Sequence, residues 1–148
     1  MIKRLYRYVK EFLKKRGAPH DRISINESIK IALVKDGKTV EVFEGPVNTW
    51  TTWGLRNISY FLTGVSAYYP NAIKFSGNTV SISKKVVDDT IVVYNGTIPS
   101  DALGTSSRIS LISTVTGGTF SNYEFGFTYV KYAGYEMRIE WRNTITSG

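Results

Sequence analysis

The side chains that could do chemistry in this chain are few. Asp88, Asp89, Asp101, Glu124, Glu136 and Glu140 supply the carboxylates from which the acid and base of a glycoside hydrolase would be drawn, and nothing in their spacing selects a pair. Asp88-Asp89 follows Lys84-Lys85 and reads as a charged loop. His20 is the single histidine, and between Pro19 and Asp21 it has no rigid element to support it as a general base. The chain has no Cys, which excludes a thiol nucleophile; with one His, a multi-His or thiolate zinc site is excluded as well. No Gly-rich phosphate loop of either standard spacing is present. These residues predict a protein that is no enzyme, takes no cofactor or metal and turns over no small-molecule substrate.

Binding residues are better represented. Tyr68 and Tyr69, with Trp50 and Trp53, could stack on sugar rings if exposed, although aromatics at strand period more often belong to a core or an interface. A second group lies at the start. Lys3, Arg4, Arg7, Lys10, Lys14, Lys15 and Arg16 are opposed only by Glu11, so residues 1–16 carry six of the seven net positive charges. From Gly17 onward, twelve Lys and Arg face eleven Asp and Glu. The body therefore has no electrostatic footprint for nucleic acid, and the arm does.

Ile2, Leu5, Val9 and Phe12 recur at spacings of three and four with Leu13 alongside, while the basic residues fill the remaining arc. This predicts an amphipathic helix over 1–17, stopped by Gly17, Ala18 and Pro19, then a linker over 18–22. Fifteen residues are marginal as a lone helix in water, so its apolar face needs a partner. Its basic arc suits an anionic membrane surface, packaged nucleic acid or an acidic protein patch. Arg7, Lys10 and Glu11 interrupt any apolar stretch of signal-peptide type, and no run is long enough to span a bilayer.

At 148 residues and 42% hydrophobic content, the chain has room for one domain, placed at 23–148. Ten Tyr, seven Phe and many Val, Ile and Thr favour strands. Ser28 to Val34 and Thr39 to Phe43 flank Lys35-Asp36-Gly37-Lys38, a hairpin signal. Asn48 to Gly64 predicts the one helix inside the body, capped by Thr49, Thr51 or Thr52, with Leu55, Ile58, Phe61 and Leu62 on its packed face. Strands at 72–76 and 79–83 flank a Gly77-Asn78 turn, and a strand at 91–94 is followed by an Asn95-Gly96 turn. Residues 100–107 read as an exposed polar loop. Tyr123, Phe125, Phe127 and Tyr129 share one face of a strand, as do Tyr135, Met137, Ile139 and Trp141 of the next, with Glu136, Arg138, Glu140 and Arg142 between them. The pattern predicts a mainly β fold, an antiparallel β-sandwich or jelly roll with one short internal helix, preceded by the basic amphipathic helix.

The run Asn48 to Gly64 and the run Asn71 to Ile82, with Asp89-Thr90 and the ending Gly134-Tyr135-Glu136-Met137-Arg138-Ile139-Glu140-Trp141, together resemble small structural proteins of tailed bacteriophages and related viruses, of the tail, baseplate or fibre type. Phe75-Ser76-Gly77 departs from the usual small-residue turn, and the basic helix is not part of that layout. The resemblance implies a self-assembling virion component, homo-oligomeric and in contact with other virion proteins. Its location would be the virion, or the cytoplasm on the alternative reading. The other readings are a carbohydrate- or receptor-binding module and a membrane-surface protein.

Overall fold

The computed structural model describes residues 23–47, 49–88 and 90–147. The helix expected over 1–17, the linker 18–22, His20 and Asp89 lie outside the described residues.

The described residues form ten strands and one helix, the strands in two antiparallel five-stranded sheets. Strand β1 (Ile23–Lys35) turns through Asp36 and Gly37 into β2 (Lys38–Val47). Both turn residues have positive φ, 50° and 76°, the geometry that matches the right-handed twist of the flanking strands. After the two-residue β3 (Thr49–Trp50) comes helix α1 (Thr52–Leu62). Next follow β4 (Ala72–Phe75), β5 (Asn78–Ser81), β6 (Ser83–Asp88) and β7 (Ile91–Ile98). The chain finishes with β8 (Gly104–Ile112), β9 (Thr119–Lys131) and β10 (Glu136–Ser147). One sheet has the order β2-β1-β10-β7-β6 and the other β3-β9-β8-β4-β5.

A single hydrophobic cluster draws on both sheets. Ile29, Ile31 and Leu33 of β1 and Met137, Ile139 and Trp141 of β10 come from the first; Phe75, Ile109, Leu111, Tyr123, Phe125 and Tyr129 come from the second. The alternation read in β10 therefore holds. Met137, Ile139 and Trp141 are buried, while Arg138 and Arg142 face water, and Arg138 Nε donates to Glu136 Oε1 at 2.5 Å.

Five expectations about strands and turns need correction. Asn95-Gly96 is no turn but the middle of β7, which lies inside its sheet between β10 and β6. A Cβ on Gly96 would stand 3.3 Å from methyl carbons of Ile73 and Ile82, so the glycine marks where the two sheets approach closely. The β4–β5 turn falls one residue early, at Ser76-Gly77, with Ser76 taking φ 55°. Residues 104–107 belong to β8 rather than to a loop. Lys84, Lys85 and Asp88 lie in the edge strand β6, where lysines discourage pairing with another chain. Finally, Phe127 leaves the buried face. Ser106 pairs with Tyr129 and Arg108 with Glu124, so residues 125–128 bulge from the ladder around Gly126, and Phe127 is 50% exposed.

The helix departs most from its sequence reading. Gly54, Asn57 and Ser59 are its buried residues, while Leu55, Phe61 and Leu62 face outward, the last two 63% and 57% exposed. The physical cause is the closeness of the approach. A Cβ on Gly54 would lie 2.7 Å from the Phe120 carbonyl oxygen and 2.9 Å from the Trp50 ring, so only a narrow, small-residue face fits against β9. The bulkier apolar arc is left outside.

Candidate functional site

Helix α1 and the loop after it build an apolar groove together with Trp50, Tyr94 and Phe120. Thr51 caps the helix: its hydroxyl accepts from the Gly54 N–H at 3.0 Å and donates to the Thr119 carbonyl across the gap to β9. At the far end, the Gly64 N–H donates to the Phe61 carbonyl and the Val65 N–H to the Tyr60 carbonyl. With Gly64 at φ 77°, this is a Schellman stop, and it turns the chain back along the helix.

Buried Asn57 holds the returning loop. Its Nδ2 donates to the Trp53 carbonyl at 3.0 Å, and its Oδ1 accepts from the Tyr68 N–H at 2.8 Å. Tyr68 is thereby stacked on Trp53, with ring centroids 6.4 Å apart and planes 22° from parallel. Trp50 and Trp53 both meet the Phe120 ring edge to face, at 5.9 and 4.7 Å. Trp50, Ile58, Phe61, Tyr68, Tyr69, Pro70, Tyr94 and Phe120 line a groove of about 190 Å³. Of the four aromatics that the sequence offers for sugar stacking, Tyr68, Tyr69 and Trp50 line the groove while Trp53 stacks on Tyr68, and Tyr69 is 63% exposed at the rim. Asn57 also lines it, but both ends of its amide are already engaged. The groove can hold a flat or aliphatic apolar group. Among its described lining residues the hydroxyls of Tyr68, Tyr69 and Tyr94 are the titratable groups, and no carboxylate, histidine or lysine joins them.

Beneath the groove lies a polar cluster that the sequence reading did not find. Glu27 of β1 is buried, with Oε1 accepting from Ser121 Oγ at 2.9 Å and Oε2 from Trp141 Nε1 at 2.6 Å. Burial pushes its carboxyl above the usual carboxylate value, against the opposing pull of those two hydrogen bonds. Burial and the negative charge of Glu27 push the Tyr94 phenol up as well. Asn143, directly opposite Glu27 on β10, buries an Oδ1 that has no hydrogen-bond partner. A signal was available: Ile25, Glu27, Ile29 and Ile31 alternate along β1, so Glu27 occupies a core position in a period-2 strand.

The carboxylates weighed for catalysis are dispersed. Asp88 Oδ1 accepts from the Thr90 backbone N–H at 2.7 Å and from its hydroxyl at 2.8 Å, bonds that hold its carboxyl below the usual range. Glu124 pairs with Arg108, Glu136 pairs with Arg138, and Asp101 is exposed in the loop before β8. Glu140 stands opposite Lys30 on the outward face of the first sheet, in a charged trough with Glu44 and Arg142. Among the described residues no three His, Cys, Asp or Glu side chains come together as a metal site. Also among the described residues, no helix is long and apolar enough to cross a membrane. The arm residues Ile2, Leu5, Val9, Phe12 and Leu13, and the seven basic residues among them, lie outside the described residues. Comparisons with family models, with curated proteins and with solved structures find no match.

Proposed function

We propose that this chain is a non-enzymatic structural subunit of a virus particle, capsid- or tail-associated, which self-assembles through its β-domain and is attached by its N-terminal helix. One observation carries the reading: Leu55, Phe61, Leu62, Val65, Tyr68 and Tyr69 turn apolar surface to water side by side on α1 and its following loop. Exposed apolar side chains gathered on one helix and the loop that follows it mark an interaction site. The resemblance to phage structural proteins points the same way. Two antiparallel sheets sharing one core support a β-sandwich. Four in-sheet hairpins, β1-β2, β4-β5, β6-β7 and β8-β9, favour it over a jelly roll, whose consecutive strands mostly alternate between sheets.

Light scattering on the full-length protein tests the reading. We expect a defined homo-oligomer whose mass falls when Leu62→Asp places a charge in the exposed patch. A strict monomer at high micromolar concentration, unchanged by Leu62→Asp, overturns it.

A second reading rests on the groove itself. Trp50, Tyr68, Tyr69 and Tyr94 offer ring faces and edges of the sort that stack on sugars, which supports a carbohydrate-binding module. Binding on a glycan array that is lost in Tyr69→Ala favours this reading. No binding removes it.

A further inference from the structure

We propose that Glu27 is a proton-controlled tie beneath helix α1: with its carboxyl protonated it fixes the β9 segment on which α1 is mounted, and with its carboxyl ionised it favours release of that mount and opening of the groove. The inference concerns how α1 is held and does not depend on what its exposed patch binds.

The mount is short. Three consecutive residues of β9 carry the start of the helix. The Thr51 hydroxyl donates to the Thr119 carbonyl, the Thr51 N–H donates to the Phe120 carbonyl at 2.8 Å, and Trp50 pairs with Ser121 in the β3–β9 ladder. The third of these residues is the one that Glu27 reaches. Ser121 Oγ donates to Glu27 Oε1 at 2.9 Å, and Val47 stands opposite Glu27 in the β1–β2 register as Trp50 stands opposite Ser121. The bond therefore joins the residues opposite the two ends of the passage from the first sheet to the second. Tyr94, which lines the groove, meets the charge of the same carboxylate from β7. One side chain thus acts on the support of α1 and on the groove lining alike.

What Glu27 lacks is a counter-charge. Among the described residues no Lys, Arg or His pairs with it, and β2 and β3 bring it no titratable side chain. The groups around it are neutral: Ser121 on β9, Trp141 and Asn143 on β10, and the Tyr94 phenol on β7. Asn143 adds a buried Oδ1 that has no hydrogen-bond partner, a second acceptor where a carboxylate needs donors. Burying an unpaired carboxylate is costly, and here that cost outweighs the two hydrogen bonds, so the closed site favours the proton. A protonated carboxyl keeps both contacts. One oxygen accepts from Trp141 Nε1, and the O–H faces Ser121 Oγ, a hydroxyl that can accept as well as donate.

Ionisation is relieved by water, and water enters where the structure is held least. Strand β1 is joined to β10 over twelve residue pairs, whereas β3 holds to β9 through two. Release of β3 and α1 is therefore the smallest opening that hydrates Glu27. In the acid-held state the apolar patch of α1 is presented on a fixed mount and the groove keeps its shape; as pH rises, both loosen together.

Amide hydrogen exchange read by mass spectrometry on the full-length wild type and Glu27→Gln, at matched pH from 4.5 upward, tests the proposal. Gln stands for the protonated state and does not titrate. Matched pH cancels the intrinsic pH dependence of exchange, and dilution until protection no longer depends on concentration removes any effect of association. We expect α1 to be less protected than β8, and its protection in wild type to fall relative to the Gln variant by up to about tenfold per pH unit until the raised folded value is passed. A wild-type to Gln ratio for α1 that is the same at every pH overturns the proposal, since α1 then opens without hydrating Glu27. Protection of α1 equal to that of β8 throughout also overturns it, because Glu27 then acts only through unfolding of the whole domain. Should the Gln variant fail to fold, which loss of β8 protection reports, wild type alone decides on the same two criteria, with its α1 exchange corrected for the intrinsic rate at each pH.

Discussion

Glu27 is the residue whose replacement probes the packing of the two sheets most sharply. Its carboxylate is the acceptor for Ser121 Oγ from β9 and for Trp141 Nε1 from β10, so one side chain joins both sheets across the core. Glu27→Ala removes the bond from Ser121 Oγ and leaves Trp141 Nε1 buried without its acceptor. An orphaned buried donor costs about 1–3 kcal/mol, so the variant should lose at least that much before any loss from the vacated volume. That is a sizeable share of the ~5–15 kcal/mol that holds an ordinary domain folded. Glu27→Gln should behave differently. Its amide oxygen can still accept from Trp141 Nε1, its shape is kept, and its N–H₂ then faces Ser121 Oγ, a hydroxyl that can accept as well as donate. We expect it within about 1 kcal/mol of wild type near the unfolded carboxylate pKa and above wild type at higher pH.

The sign follows from linkage. Burial raises the folded pKa of Glu27 above its ordinary value of 4.5, so the folded state holds this proton more tightly than the unfolded state. The stability from Glu27 is fully present below 4.5 and is lost as pH climbs through the raised folded value. Glu27→Gln has no such titration. Urea denaturation of wild type and both variants across that window should therefore show the Gln variant gaining on wild type as pH rises. A Gln variant as unstable as the Ala variant, or a Gln-minus-wild-type difference that does not change with pH, refutes the reasoning.

Two further outcomes follow from the packing. Gly54→Ala improves intrinsic helix propensity by about 1 kcal/mol, yet its methyl meets the Phe120 carbonyl at 2.7 Å; overpacking should win, with a net loss of about 1–2 kcal/mol in thermal denaturation. A Tm above wild type would show that α1 does not sit so close to β9. Tyr129 buries a hydroxyl with no hydrogen-bond partner, and burial together with the negative charge of Glu41 pushes its pKa up to about 12. Tyr129→Phe should match wild type in stability or exceed it by about 1 kcal/mol, and ultraviolet titration should lose its latest-ionising tyrosine.

Some of this molecule was legible because local chemistry decides it. Asp36-Gly37 takes the positive φ values that close a tight hairpin, and no distant contact is needed to specify that turn. Likewise the alternation from Tyr135 to Trp141 identifies the buried face of β10, since side chains one residue apart on a strand point opposite ways. The Glu27 cluster was half legible: its place among alternating isoleucines indicates burial, but its two donors lie 94 and 114 residues away in the chain. Asn95-Gly96 misleads because the same dipeptide suits a turn and a crowded strand. Only the methyl groups of Ile73 and Ile82 overhead distinguish the two.

The sequence by itself determined the separation of a basic arm from a near-neutral body, the β character of that body, the first hairpin, and the position of its internal helix with Gly64 at its end, leaving the cap open among Thr49, Thr51 and Thr52. These follow from composition, side-chain period and backbone preference, which act over a few residues. Tertiary structure alone decided which face of α1 is buried, because the closeness of β9 admits Gly54, Asn57 and Ser59 and turns Leu55, Phe61 and Leu62 outward. It also decided that Trp50, Tyr68, Tyr69 and Tyr94, from three separate stretches of the chain, meet in one groove. Helical periodicity identifies an apolar stripe, but the space left by neighbouring strands settles whether that stripe is core or interface.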